Sequence, residues 1–302
     1  MRPREMTAEL DHTFAAASGL GLEACHFIGL RYDLEEGFRP GRGESFLCRL
    51  ESGRMRVHLG GACWLTDVFQ ADDGAVFVSE AHHGVYVGQD GETFRHFDLP
   101  GTTSGVGGWA GHVFAWGLAP GGGPSMWRWT GSGWDALTSP GFVSHVAGRG
   151  HAGFAVGRAG RIARFEAGRW IPMDEPLGCV LSDVTMRSED EAYATALDGS
   201  LLVGSSHGWS VACRHEQPLL AVAASAEQVW VGADYPAGLM RWVDGSLESV
   251  RRSFDVRRID ARGRVLVTTT TDLLELRGGD IAAGFTSDAF AEAIASIPVE
   301  RP

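Results

Sequence analysis

Short runs of alternating apolar and polar residues, separated by glycine-rich turns, recur along the chain. The clearest unit is LTDVFQADDGAVFVSEAHHGVYVGQDGETFRHFDLP, residues 65–100. Alternation with a period of two marks a strand with one covered face, and this unit reads as four such strands closing on Pro-Gly. The second strand is the easiest to align. Its copies are HFIGL (26–30), VFVSE (76–80), VFAWG (113–117), GFAVG (153–157), AYATA (192–196), VWVGA (229–233) and VLVTT (265–269). They lie about 36 to 40 residues apart, except for a first step of about 50. That step holds an insertion, EEGFRPGRG (35–43).

A third strand follows each copy: SFLCRLE, GVYVGQD, SMWRWTG, RIARFEA, SLLVGSS, GLMRWVD and DLLELRG. The next turn is rich in Asp-Gly and Gly-Gly, as in QDGETF, VDGSL and RGGDI. Tight hairpins need φ > 0 at their central residues, which favours these pairs. An aromatic often comes next, at Phe94, Trp134, Trp170 and Trp209. Packing between neighbouring units is the plain reading of these rings, and ligand stacking is the alternative. A first strand precedes each second strand: TFAAAS, LTDVFQ, SGVGGW, VSHVAG, LSDVTM, LLAVAA and VRRIDA. Their small, moderately polar residues suit a crowded inner axis.

A unit of about 40 residues with four short strands predicts an all-β chain folded as a single β-propeller. One domain spans 1–302. Seven four-stranded blades fall at approximately 12–60, 61–101, 102–141, 142–178, 179–216, 217–254 and 255–287. Six blades with an irregular terminus is the other count. The segment SDAFAEAIASI predicts a short C-terminal helix over 287–297, with Phe290, Ile294 and Ile297 on one face and Ser287 or Asp288 as its cap. It is expected to cover an exposed edge near the ring closure.

The L-x-D-V, D-x-G-x-V-F-V and G-V-Y-V-x-x-D-G-x-x-F segments of residues 65–94 resemble bacterial propeller repeats of the photosystem-assembly-factor and sialidase-repeat type, within the wider WD40- and YVTN-like group. LSDVTMRSEDEAYATALDGSLLVGSSHGW (181–209) is a weaker copy. The resemblance implies architecture only. Gln89 to Phe94 falls one residue short of an Asp-box, and the regular Gly-His and Trp-Asp pairs of WD40 repeats are missing. No functional residue carries over from these families.

Composition narrows the chemistry. All 26 basic residues are arginine, so the chain offers no lysine nucleophile, base or phosphate ligand. The formal net charge is -12, which argues against nucleic acid as the main partner and favours a basic protein. RRSFDVRR (251–258) is the local exception, either a solvated edge of alternating arginines or an anion patch. No secretory leader and no membrane-spanning stretch is legible. The five scattered cysteines, 25, 48, 63, 179 and 213, read as buried free thiols of a cytoplasmic protein. No metal site or cofactor is called for.

Loops on a rigid ring are where recognition is expected. The loops after the second strands offer Glu35, Glu36, Phe38, Arg39, Arg42, His82, His83, Arg158, Asp198, Asp234, Tyr235 and Asp272. The predicted binding set is Glu35, Glu36, Phe38, Arg39, His82, His83, Arg158, Asp234 and Tyr235. The leading functional reading is a non-catalytic protein-binding propeller in a scaffold, accessory or immunity-type role. The alternative is a hydrolase or lyase with an acid/His site at the channel mouth, for which Asp67, His82, His145 and Asp183 are the candidates. A small-ligand sensor using Trp116, Trp127 or Tyr235 is a third possibility.

Overall fold

The computed structural model describes residues 10–35, 37, 43–82 and 84–297. Seven four-stranded antiparallel sheets follow one another, and in each the spatial order of strands is their sequence order. All seven aligned segments fall on second strands, the last running one residue past Val265–Thr268. Each blade is therefore built from consecutive chain, and none borrows a strand to close the ring. The hairpin turns use the expected chemistry. Asp244 and Gly245 both have positive φ (46° and 86°), the geometry of a type I′ turn.

Packing between blades explains the recurrent aromatics. Phe94 packs on His58 (centroids 5.4 Å apart), Trp134 on Phe77 (6.1 Å), Trp170 on Phe114 (5.2 Å) and Trp209 on Phe154 (5.1 Å). Trp134, Trp170 and Trp209 leave their own fourth strands and Phe94 the residue just before one, and each lands on the preceding blade. Close approach dictates some glycines: a Cβ on Gly204 would lie 2.1 Å from the Trp209 ring. Trp116 and Trp127, the sensor candidates, are buried in these layers and serve packing.

Blades 7 and 1 meet through backbone and side chains. The Phe14 amide donates to the Thr270 carbonyl (2.9 Å), the Arg264 amide to the Leu20 carbonyl (2.9 Å) and the Leu22 amide to Glu275 Oε2 (3.0 Å). The helix Ser287–Ile294 completes the join, with Phe290 and Ile294 fully buried among Phe14, Phe27 and Phe46. Its cap is Thr286, whose hydroxyl accepts from the Ala289 amide at 3.2 Å. Ser287 and Asp288 are already inside the helix. Thr286 ends the last strand in extended geometry (φ -97°, ψ 160°), which is what a capping residue needs. The helix also stops at Ile294, short of the predicted 297. Ile297 still packs against the same cluster, part-buried.

Of the cysteines, Cys25 and Cys48 are buried, whereas Cys63, Cys179 and Cys213 are only half-buried, and none of the five forms a disulfide. No helix among the described residues is long and apolar enough to cross a membrane.

Candidate functional site

The ring presents two different faces. Loops leaving the second strands share the upper face with the connections between blades. The turns from first to second strand form the lower face, at the opposite end of every second strand.

The described part of the predicted binding set lies on the upper face. Glu35 is exposed in the turn after Ala24–Asp33. The His82 ring is exposed edge-on to Trp64, 5.8 Å between centroids. Arg158 lies over the Phe142 ring at 5.3 Å. Asp234 receives the Tyr235 amide at 2.9 Å, and Tyr235 is 64% exposed. Glu36, Phe38, Arg39, Arg42 and His83 lie outside the described residues. Sequence reasoning missed the apolar members of this face. Leu34, Leu118, Phe142 and Leu197 are all exposed there. Their signal is a lone apolar residue just after a second strand or just before a first one, out of step with the strand's covered face.

The first strands converge on the axis. Six of the seven carry a register shift shortly after their start, and such bulges re-aim the following side chain. The strand pairing makes Ala16, Asp67, Gly105, His145, Asp183, Ala221 and Arg258 equivalent, one from each blade. Three of the four proposed catalytic residues therefore share one ring. His82 does not join them, being on the upper face, whereas the cavity around this ring is lined down to the lower turns. His145 sits within its strand, at the axis and clear of the turn that holds His151.

Hydrogen bonding shows what the ring carboxylates do. Asp67 accepts the amides of Val68 (3.0 Å) and of Val106 in the next blade (3.3 Å). Asp183 repeats the arrangement with Val184 (2.8 Å) and Val222 (2.9 Å). Two residues further along, Ser18 takes the Gln70 amide and Asp260 the Gly19 amide, again across a blade boundary. These acids staple neighbouring blades. Arg258 reaches across the axis to both oxygens of Asp67 (3.2 and 3.3 Å). RRSFDVRR is thus no simple solvated edge: Arg258 is in the channel, Arg257 pairs with Asp255 and Arg251 lies over Phe254.

Burial sets the protonation. It keeps the His145 imidazole well below its ordinary value, with help from Arg258, so the ring is neutral. Burial also pushes the Asp183 carboxyl up to about 6, against the pull of Arg258 and two amides. His145 Nε2 lies 3.4 Å from Asp183 Oδ1. At Asp260 burial is outweighed by Arg262 at 2.6 Å, and the carboxyl is held below its usual range. The channel cavity measures about 550 Å³.

No protein-family model matches the chain, and no curated protein matches its sequence. Solved structures do match in fold. The WD40 propeller domain of Doa1 is 11% identical over 87% of this chain and 91% of that one, with a TM-score of 0.66. YCF48, a photosystem assembly factor solved with a bound D1 peptide, is 12% identical over 86% and 94%, with a TM-score of 0.60. A chain of the mitotic checkpoint complex is 12% identical over 73% and 77%, with a TM-score of 0.59. The architecture agrees with the resemblance read from the repeats.

Proposed function

We propose that this protein is a non-catalytic propeller that binds another protein through its upper face, in an accessory, scaffold or immunity-type role. One observation carries the reading. Of the eight exposed large apolar side chains among the described residues, Leu10, Leu34, Leu118, Phe142, Leu197 and Tyr235 lie at the upper face. Scattered apolar residues are normal on a surface, but a bias to one face is what a docking surface requires. Tyrosine and phenylalanine are also favoured anchors, because they bury large area for few frozen rotations. Neighbours in fold that hold a peptide or sit in a protein assembly support the same use. The net charge of -12 favours a basic partner.

The test is capture of the partner from the native host by tagged protein, beside a Phe142→Asp, Leu197→Asp, Tyr235→Ala variant. Loss of the partner by a variant of unchanged thermal stability supports the upper face. Retention by that variant, or loss on altering only the lower turns, refutes it.

A further inference from the structure

The channel holds one carboxylate more than its arginines neutralise. In and around the cavity Asp67, Asp72, Asp183 and Asp260 face Arg149, Arg258 and Arg262. Arg258 is engaged by Asp67 at 3.2 Å and Arg262 by Asp260 at 2.6 Å. Arg149 stands exposed at the mouth. Asp183 is 5% exposed, with His145 beside it at 3.4 Å and no arginine at ion-pair distance among the described residues; Arg258, held by Asp67, acts on it only from further off. An ionised carboxylate has about four acceptor positions. The Val184 amide and, at 3.4 Å, the His145 ring crowd Oδ1, and the Val222 amide takes one position on Oδ2, leaving a place on Oδ2.

We propose that the channel binds a single alkylammonium group, which enters from the lower face and pairs with Asp183. One remaining acceptor suits a compact point charge better than the planar fork of a guanidinium. Small residues on the same wall, Gly107, Ala147 and Ala223, leave room for the alkyl stem within a cavity of about 550 Å³. The approach is acidic. The lower turns expose Glu23, Asp72, Asp73, Glu189, Asp190 and Glu227 against the exposed Arg149, while arginines 187, 262 and 264 are paired with Glu191, Asp260 and Glu275. A slot with acidic walls concentrates cations at its mouth. The group is either a free amine or the lysine side chain of another protein. This site is independent of the upper-face reading, and its failure leaves that reading untouched.

The probe is n-butylammonium, with n-butanol as its uncharged counterpart. The readout is the NMR signal of the His145 ring protons, assigned with His145→Gln. Butylammonium is expected to shift that signal saturably and butanol to leave it alone. Asp183→Asn should weaken binding about tenfold or more, the loss of one charge-assisted hydrogen bond. Ala147→Leu should block the slot while leaving Asp183 intact, so the two variants test the site separately. Equal effects of amine and alcohol, no shift with the amine, or undiminished binding by both variants overturns the proposal. A second arm uses the peptide Gly-Gly-Lys-Gly-Gly. If it matches butylammonium, the slot takes a protein lysine. If it is excluded while butylammonium binds, the ligand is a free amine, and either result upholds the site.

Discussion

At the residue scale, two aspartates in equivalent positions do the same hydrogen-bonding work under different electrostatics. Asp67 has Arg258 as counter-ion, and Asp183 has a neutral histidine. Asp67→Asn should therefore deprive a part-buried guanidinium of its nearest counter-ion and cost about 1.5–3 kcal/mol. Asp183→Asn keeps an acceptor oxygen and removes a charge that burial already disfavours, so it should cost about 1 kcal/mol. Denaturant midpoints of the two variants test the order, and equal losses would mean that Arg258 does not depend on Asp67. The pair at the axis also sets a pH dependence. His145 is held below its ordinary 6.5 in the folded protein, so below that pH the unfolded chain takes up a proton the folded one refuses. Its contribution is present above pH 6.5 and lost as the pH falls. Asp183, raised from 3.8 to about 6, acts in the opposite sense: the folded state holds the extra proton between those values, and stability rises as the pH falls through them. His145→Gln removes the first effect and leaves the second. Between pH 7 and pH 5 the variant should gain up to about 2 kcal/mol relative to wild type. A gap that stays constant across that range would show that His145 titrates normally.

At the element scale, the ring closes without exchanging a strand, and the helix Ser287–Ile294 carries part of that load. Gly29 lies under the Phe290 ring, where a Cβ would come within 2.3 Å of Cζ. Phe290→Ala should cost about 3–5 kcal/mol, the usual loss for an emptied aromatic site. Gly29→Ala should cost about 1–3 kcal/mol through overpacking. The double variant should be less destabilised than the sum, since the new methyl then occupies space the ring has left. Strict additivity in urea titrations would mean that the helix does not seat on blade 1. The elements themselves were legible because their signals are local: alternation, Asp-Gly turns, and the small residues of the first strands. The cap was misread because Thr286 belongs to the last strand, and its extended geometry, set by pairing with Asp272, is what lets it cap.

At the scale of the whole molecule, legibility ends where distant strands meet. Asp67, His145 and Asp183 were singled out as channel-facing, but Arg258 was hidden in an arginine-rich stretch. It completes their ring only because seven first strands, six of them bulged, bring equivalent positions to one axis. The same topology puts His82 at the far end, a separation that sequence spacing cannot express. It also divides the labour between charge and apolar contact. The net charge of -12 acts over the whole surface, whereas the exposed Phe142, Leu197 and Tyr235 act only once a partner has arrived. Long-range attraction is screened within about 10 Å at 0.1 M salt, and buried apolar contact is not. Raising the salt should therefore slow association with a basic partner several-fold and leave dissociation nearly unchanged. Surface plasmon resonance at two salt concentrations separates the rates. If dissociation accelerates in step with slower association, ion pairs hold the complex and the apolar upper face is not its main contact.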